Sequence, residues 1–166
     1  MANKVVSNTA PLIHLKEIDL INALNIFEEI LIPPEVENEI KNNNLPEVLE
    51  RIKVINLNSK WKDTANILVN EFSLDLGEAE AIALALQEKA DYFLTDDLDA
   101  RLVASRYNLE VHGTIGIILR AFRERLLDKK LAIKKVNEIY FKSSLFITRN
   151  LVDDIIEEIN RFLKER

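Results

Sequence analysis

The stretch LGEAEAIALALQEKADYFLTDDLDARLVA, residues 76–104, places a short apolar run between two helical patterns. The first pattern covers Gly77–Lys89 and repeats as on the buried face of a helix. Its apolar positions are Ala79, Ile82, Ala83 and Leu86. Asp91–Thr95 then predicts a short buried strand, and Asp97–Tyr107 predicts a second helix. Alternating strands and helices are typical of α/β proteins, so this stretch favours that fold class.

The same alternation continues on both sides of this stretch. Further strands are predicted at Lys4–Ser7, Ile30–Ile32 and Leu109–His112, with a strand or an extended connection at Val54–Leu57. The other helices are predicted from Thr9, at Glu35–Lys41, at Thr64–Phe72, from Thr114, at about Lys130–Phe141 and at Asn150–Leu163. Strands separated by helices imply right-handed crossovers. We therefore predict a parallel sheet flanked by helices on both faces, an α/β/α sandwich.

Length and composition fit one ordinary globular domain. The 166 residues show no repeat or Gly/Ser linker, so we predict a single domain over residues 1–166, with C-terminal helices (about 130–166) packed on it or extending from it. No signal peptide or membrane span is visible and cysteine is absent, which predicts a cytoplasmic protein. The net charge of −6 argues against broad electrostatic binding of nucleic acid. It does not exclude a nuclease, because metal ions turn an acidic pocket into a phosphate site.

Polar residues gather at the predicted carboxyl ends of the strands, where parallel sheets bind ligands. They are Asn8, Asp96, Asp97 and Thr114 after strands, and Glu39 and Glu78 on following helices. Clustered carboxylates repel one another unless a cation is present. Without cysteine, oxygen-ligated Mg²⁺ or Mn²⁺ is the natural candidate, and such an ion promotes phosphodiester hydrolysis. For any single one of these residues, helix capping is the ordinary structural role.

Some roles stay open at this point. Glu78 and Glu80 are about 200° apart around a helix, so only one of them faces the site, and we favour Glu78 over Glu80. Asp97 is the stronger ligand candidate and Asp96 the helix cap, although these roles can be exchanged. Arg101 lies four residues after Asp97, a spacing that favours an ion pair over a contact with phosphate.

The chain resembles the PIN-domain family, in the branch related to VapC-type toxin ribonucleases. The matching segments are VVSNTAPLIHL, LIPPEVENEI, LGEAEAIALALQEKADYFLTDDLDARLVA and HGTIGIILRA. They occur in the family's order and cover roughly residues 4–125.

The resemblance implies a Mg²⁺- or Mn²⁺-dependent endoribonuclease. It places the four acidic positions of the family at Asn8, Glu39, Glu78 and Asp97, with Asp96, Glu80 and Thr114 as near neighbours. It also implies RNA as substrate, the toxin of a toxin–antitoxin pair with an antitoxin protein as partner, and a homodimer. Asn8 departs from the aspartate usual at the first position, which lowers the expected metal affinity.

Two other functions compete with the nuclease. A catalytically weak module that binds nucleic acid or a protein partner is favoured by the missing carboxylate at Asn8. A response-regulator-like domain or small hydrolase also clusters acids at strand ends, but no convincing lysine, P-loop or GxSxG motif is present. The basic segment Arg120–Lys135 is either a contact for an RNA backbone or, more commonly, a solvated helix face.

Overall fold

A computed structural model describes the backbone of residues 2–162 and the side chains of residues 4–162. Its strands are β1 (Ala2–Ser7), β2 (Phe27–Ile32), β3 (Lys53–Val54), β4 (Tyr92–Leu94) and β5 (Val111–His112). All pairings between them are parallel, and the order across the sheet is β3-β2-β1-β4-β5. The predicted parallel sheet flanked by helices is therefore confirmed.

The helices lie close to the predicted ones. They are α1 (Thr9–Glu17), α2 (Pro34–Asn42), α3 (Pro46–Leu49), α4 (Ser59–Phe72), α5 (Leu76–Gln87), α6 (Leu98–Arg106), α7 (Thr114–Arg123), α8 (Lys129–Lys142) and α9 (Arg149–Phe162). The prediction missed α3 and the 3₁₀ helix Ile21–Ile26, since both are too short to show a helical period. Leu163, predicted to end the last helix, lies outside the described residues.

The topology creates a crevice at the carboxyl ends of β1 and β4. Strand β1 is central, with Val5 opposite Ile30 of β2 on one side and Tyr92 of β4 on the other. From β1 the chain first builds β2 and β3, and then crosses to β4 on the opposite side. At such a reversal of strand order the connecting segments diverge, and ligands of open parallel sheets bind there.

The chain divides into two compact units. The first contains Met1–Ile13 and Phe27–Gly113 and holds the whole sheet, with Phe93 among its fully buried side chains. The second contains His14–Ile26 and Thr114–Arg166, and in it α7 packs on α8 and α8 on α9. That the whole chain folds as one domain stays a prediction. Within residues 2–162, no helix has the length and apolar character that crossing a bilayer requires.

Helix α5 ends in a left-handed turn at Lys89, whose φ is 50°. The N–H of Ala90 donates to the carbonyl of Ala85 (2.9 Å) and that of Lys89 to Leu86 (3.3 Å), the pattern of a Schellman cap. Glycine is favoured at such a position because any Cβ is strained there.

We expect Lys89→Gly to raise the free energy of unfolding by about 1 kcal/mol, because the strain at φ 50° is relieved. Urea denaturation measures this. The control is Asn108→Gly in the equivalent turn after α6, with φ 61°, where asparagine already tolerates the conformation and the gain should be smaller. A loss of stability in Lys89→Gly would contradict the expectation.

Candidate active site

Asn8 joins the ends of β1 and β4. Its side chain is only 4% exposed, and its backbone N–H donates to the carbonyl of Leu94 (3.1 Å). Asn8 Nδ2 donates to Thr95 Oγ1 (2.6 Å), and the same hydroxyl accepts the N–H of Asp97 (3.2 Å). Asn8 Oδ1 is buried and has no hydrogen-bond partner in the described side chains. A buried acceptor without a hydrogen bond lowers the stability of the fold, and its oxygen is available to bind a ligand.

Asp97 is the N-cap of α6. Its Oδ1 accepts the N–H of Ala100 at 2.8 Å, so the capping role expected first for Asp96 belongs to Asp97. The reason is geometric, because Asp97 has extended backbone angles and directly precedes the first helical residue. Capping uses one carboxylate oxygen of Asp97, and no hydrogen bond in residues 4–162 occupies the other.

Asp96 and Arg101 meet beside Gly113. A Cβ at position 113 would lie 2.7 Å from Asp96 Oδ1 and 2.8 Å from Arg101 Nη2, so glycine is required for these groups to come so close to the backbone. Arg101 Nη2 also donates to the carbonyl of Thr95 (3.3 Å). The predicted ion pair between Arg101 and Asp97 is wrong within the described residues, since Asp97 turns back to cap its own helix.

Glu39 on α2 reaches the start of α5 and of α1. The hydroxyl of Thr9 donates to Glu39 Oε2, and a Cβ at Gly77 would lie 2.3 Å from Glu39 Oε1. Burial raises the pKa of Glu39, the Thr9 hydroxyl lowers it, and the charges of Asp75 and Glu35 raise it further. Glu39 therefore belongs to a set of neighbouring carboxylates instead of standing free in solvent. We call this set, which consists of Glu39, Asp75, Glu78 and Asp97, the acidic group.

Glu78 lies at the centre of the acidic group. It forms a capping box with Asp75, in which Glu78 N–H donates to Asp75 Oδ1 (2.8 Å) and Asp75 N–H donates to Glu78 Oε2 (3.1 Å). Burial first, then the charges of Asp75, Asp97 and Glu39, raise the pKa of Glu78 to about 7. Asn8, Asp97, Glu39 and Glu78 thus belong to one edge of the first unit, as expected.

Glu80 points elsewhere. Its Oε2 accepts the N–H of Glu35 (3.4 Å), and it lines a cavity together with Lys62. Burial raises the pKa of Glu80, the hydrogen bond from Glu35 N–H and the charge of Lys62 lower it, and the charges of Glu35 and Glu39 raise it. The charge of Asp97 contributes to the raised pKa of Glu78 but not to that of Glu80, which supports the preference for Glu78 over Glu80.

Two predicted features belong to the second unit. Thr114 is fully buried at the start of α7. In the basic segment, Arg120 pairs with Glu124 (2.9 Å) and Arg123 with Glu158, while Lys135 pairs with Glu138 (3.1 Å) and donates to the carbonyl of Ile18 (2.6 Å). Ion pairs within the protein therefore neutralise much of the charge of this segment, which favours a solvated and ion-paired surface over an RNA contact.

The oxygen donors at this edge fit a partly hydrated divalent cation. Within the described residues, no three Asp, Glu or His side chains are gathered closely enough to enclose a metal by themselves. Mg²⁺ commonly keeps several waters and takes only one or two carboxylates, which Glu78 and Asp97 would supply, with the unpartnered Asn8 Oδ1 as a neutral third donor. A cation would also relieve the repulsion that raises the pKa of Glu78. The metal-ligand roles of these residues stay predictions.

We expect the metal-free protein to lose stability as the pH rises from 4.5 to about 7. The folded state holds the Glu78 proton with a pKa of about 7 and the unfolded chain with the ordinary 4.5, so this stabilising contribution is complete below pH 4.5 and is lost as the pH passes 7. Glu78→Gln should flatten the dependence, because glutamine remains uncharged and keeps the capping box. Urea unfolding in EDTA at pH 5 and 8 measures the effect. A variant that loses as much free energy of unfolding between these two pH values as the wild type would contradict the expectation.

The sequence reasoning missed three residues that organise the site. Thr9 donates a hydrogen bond to Glu39, and Thr95 accepts hydrogen bonds from Asn8 and Asp97. Asp75 forms the capping box with Glu78. Thr95 had a signal, since it directly precedes the Asp96-Asp97 pair at a strand end. Thr9 had none, because its contact with Glu39 joins residues 30 positions apart.

Comparisons with known proteins add a family and a fold. A family model described as "PIN domain" matches residues 4–161 of the chain. Among solved structures, the chain is similar to SSO1118, a PilT N-terminus domain protein from the hyperthermophilic archaeon Sulfolobus solfataricus P2, with 15% identity and a TM-score of 0.53. This match covers 71% of the chain and 92% of that protein, and at such low identity it concerns the fold alone. No protein with a curated description matches the chain.

Proposed function

This chain belongs to the PIN-domain family, and from that premise we propose that it is a metal-dependent endoribonuclease. The family suggests a nuclease-type function, and PIN domains generally use divalent metal ions. One observation carries the proposal for this chain. Asp97 and Glu39 lie near enough to Glu78 for their charges to add to the larger effects of burial and of Asp75, which together raise the pKa of Glu78 to about 7.

In this proposal, Glu78, Asp97 and Asp96 would hold Mg²⁺ or Mn²⁺, and Asn8 Oδ1 would contribute a neutral oxygen. A bound cation of this kind supplies Lewis-acid stabilisation of the charge that develops on a phosphodiester during hydrolysis. Thr95 fixes the relative positions of Asn8 and Asp97 through its hydroxyl. Helix α1 begins beside these groups, and the N–H groups of its first turn attract a phosphate.

Proposed partners follow from the same family. We propose RNA as the substrate, a cytoplasmic toxin–antitoxin pair as the setting, an antitoxin protein as the inhibitor, and a homodimer as the active form. Induced expression should then stop cell growth, and co-expression of a protein that binds this chain as its antitoxin should restore growth. Light scattering on the purified protein tests the dimer separately.

A direct test combines cleavage and metal location. Purified protein is incubated with single-stranded RNA in Mn²⁺, in Mg²⁺ and in EDTA, and crystals soaked in Mn²⁺ are measured for anomalous density. We expect cleavage with either ion but not in EDTA, and density between Glu78 and Asp97. Cleavage that continues in EDTA, or Mn²⁺ bound away from both carboxylates, would overturn the proposal.

A second function, an RNA- or partner-binding module without cleavage, is favoured by one observation. Asn8 stands at the first acidic position, where its amide is tied to Thr95 Oγ1 and adds no negative charge for a cation. This alternative expects tight RNA binding with no cleavage in Mn²⁺. It also expects that Asn8→Asp restores no cleavage on any RNA tested.

A further inference from the structure

A cavity of about 390 Å³ lies beside the start of α5 in the first unit. Lys62 and Asn66 line it from one face of α4, Asn56 from the segment after β3, and Glu80 from α5. Leu57 is one of its apolar walls. Its volume is in the range of about 300–1,000 Å³ that is typical of small-ligand pockets, and apolar walls with a few polar groups are typical as well.

The wall formed by the segment after β3 is held in place. Gln87 on α5 accepts the N–H of Asn58 (2.9 Å) and donates to the carbonyl of Asn56 (3.2 Å). Asn58 in turn caps α4, because its Oδ1 accepts the N–H of Trp61 (3.3 Å). Asn56 is therefore presented by a segment tied to two helices, which limits the loss of entropy on ligand binding.

The side-chain amides of Asn56 and Asn66 are uncommitted, and together with Glu80 they are complementary to a nucleobase. Within residues 4–162, no hydrogen bond occupies the side-chain amides of Asn56 and Asn66, and each amide offers both a donor and an acceptor. Glu80 Oε2 already accepts the N–H of Glu35 (3.4 Å), and the other oxygen of this carboxylate is an acceptor suited to an exocyclic amino group. Lys62 supplies a positive charge at the rim for a phosphate.

The cavity lies near the acidic group but on another face of α5, because Glu80, which lines the cavity, and Glu78 project about 200° apart around this helix. Glu80 is two residues after Glu78 on α5, and the carboxylate of Glu39 touches Gly77 in the first turn of that helix. Pro34, which begins α2, also lines the cavity. A base seated here would therefore lie near Glu39, whose charge acts on Glu80, and the rest of the nucleotide would extend around the start of α5 to Glu78 and Asp97.

We propose that this cavity is a nucleoside subsite, which seats a base bearing an exocyclic amino group next to the acidic group. The inference rests on the proposed ribonuclease function and names a feature of its substrate. Uracil is disfavoured in the subsite, because it presents a carbonyl oxygen where cytosine presents the amino group that Glu80 accepts.

The test uses cytidine and uridine 5′-monophosphates, a pair that differs in the hydrogen-bonding edge of the base. The wild-type protein is used, because a nucleoside monophosphate contains no phosphodiester bond to hydrolyse, and the side-chain amide signals of Asn56 and Asn66 are followed by NMR. We expect both signals to shift, and cytidine monophosphate to act at concentrations about tenfold lower than uridine monophosphate, as one lost hydrogen bond to a charged group implies.

Two variants and one control separate the subsite from nonspecific binding. Asn66→Ala should weaken the binding of cytidine monophosphate about tenfold. Glu80→Gln should reduce the preference for cytidine monophosphate over uridine monophosphate. Asn70→Ala removes the same side chain from an exposed position on the same helix, outside the cavity lining, and should change neither value.

The outcomes distinguish this inference from the function on which it rests. RNA cleavage by the wild type, with no shift of Asn56 and Asn66 signals by either nucleotide, overturns the subsite and leaves the ribonuclease standing. Nucleotide binding that depends on Asn66, without cleavage, supports the subsite and counts against the ribonuclease. Shifts produced by a tetra-arginine peptide but by neither nucleotide overturn the subsite in favour of a peptide site.

Discussion

Asp97→Asn is expected to lower metal-dependent RNA cleavage by at least about a hundredfold, because a bound cation contributes several kcal/mol to stabilisation of the transition state. Asparagine removes the charge that would hold the cation but keeps an oxygen at the N-cap of α6. Asn and Asp are nearly equal as N-caps, so the hydrogen bond to the N–H of Ala100 and the fold should persist. Cleavage rates on one RNA at saturating Mn²⁺ measure the loss.

The matched control is Asp99→Asn, which removes a charge from an exposed position in the first turn of the same helix. It should leave cleavage within a factor of about two, since exposed charges contribute little. Thermal unfolding of both variants should resemble that of the wild type. Full cleavage by Asp97→Asn would remove this carboxylate from the proposed machinery, whereas an unfolded variant would mean that the cap depends on the charge.

Asn8→Asp is expected to make the stability of the protein depend strongly on divalent metal. Position 8 is 4% exposed and close to Asp97, so an unpaired carboxylate there should lower the free energy of unfolding in EDTA by about 2–4 kcal/mol at pH 8. The added charge should also increase Mn²⁺ affinity at least about tenfold and raise the cleavage rate. Urea unfolding with and without Mn²⁺, together with cleavage assays, measures these effects.

Asn70→Asp adds the same charge on the exposed face of α4 and serves as control, with little effect expected on stability or on Mn²⁺ affinity. The stabilisation by Mn²⁺ of Asn8→Asp, compared with that of the wild type, decides between the two candidate functions. If Mn²⁺ stabilises Asn8→Asp no more than the wild type, the amide is not at a cation site, and the binding module gains support.

Much of the fold was readable from local patterns. The strand at Tyr92–Leu94 is apolar throughout, as strands buried on both faces are, and three of the four positions in the helical repeat predicted before it, Ala79, Ile82 and Ala83, are fully buried. Elements of this kind are predicted well because their period reflects burial. The 3₁₀ helix Ile21–Ile26 and α3 were missed because they are shorter than the patterns that reveal a helix.

Only the question of which residues lie at this edge of the sheet could be answered from the sequence. Strand ends of a parallel sheet lie at one edge, so the sequence pattern alone predicts that Asn8 and Asp97 lie together. The partners of each side chain were not predictable. Arg101 binds the carbonyl of Thr95 rather than Asp97, and the capping role belongs to Asp97 and not to Asp96. Such choices depend on distances of a few tenths of an ångström, which residue spacing along a helix does not determine.

The sequence by itself determined that strands and helices alternate and that oxygen-bearing side chains follow the strands, because periodicity and capping are local properties. Only the tertiary structure decided that β1 and β4 are neighbours and that the charge of Asp97 acts on Glu78 while Glu80 lines a cavity. It also decided that Asn8 Oδ1 is buried without a partner in the described residues. The physical reason is that burial and electrostatic repulsion depend on which groups surround an atom in space. Those neighbours come from segments up to 87 residues apart.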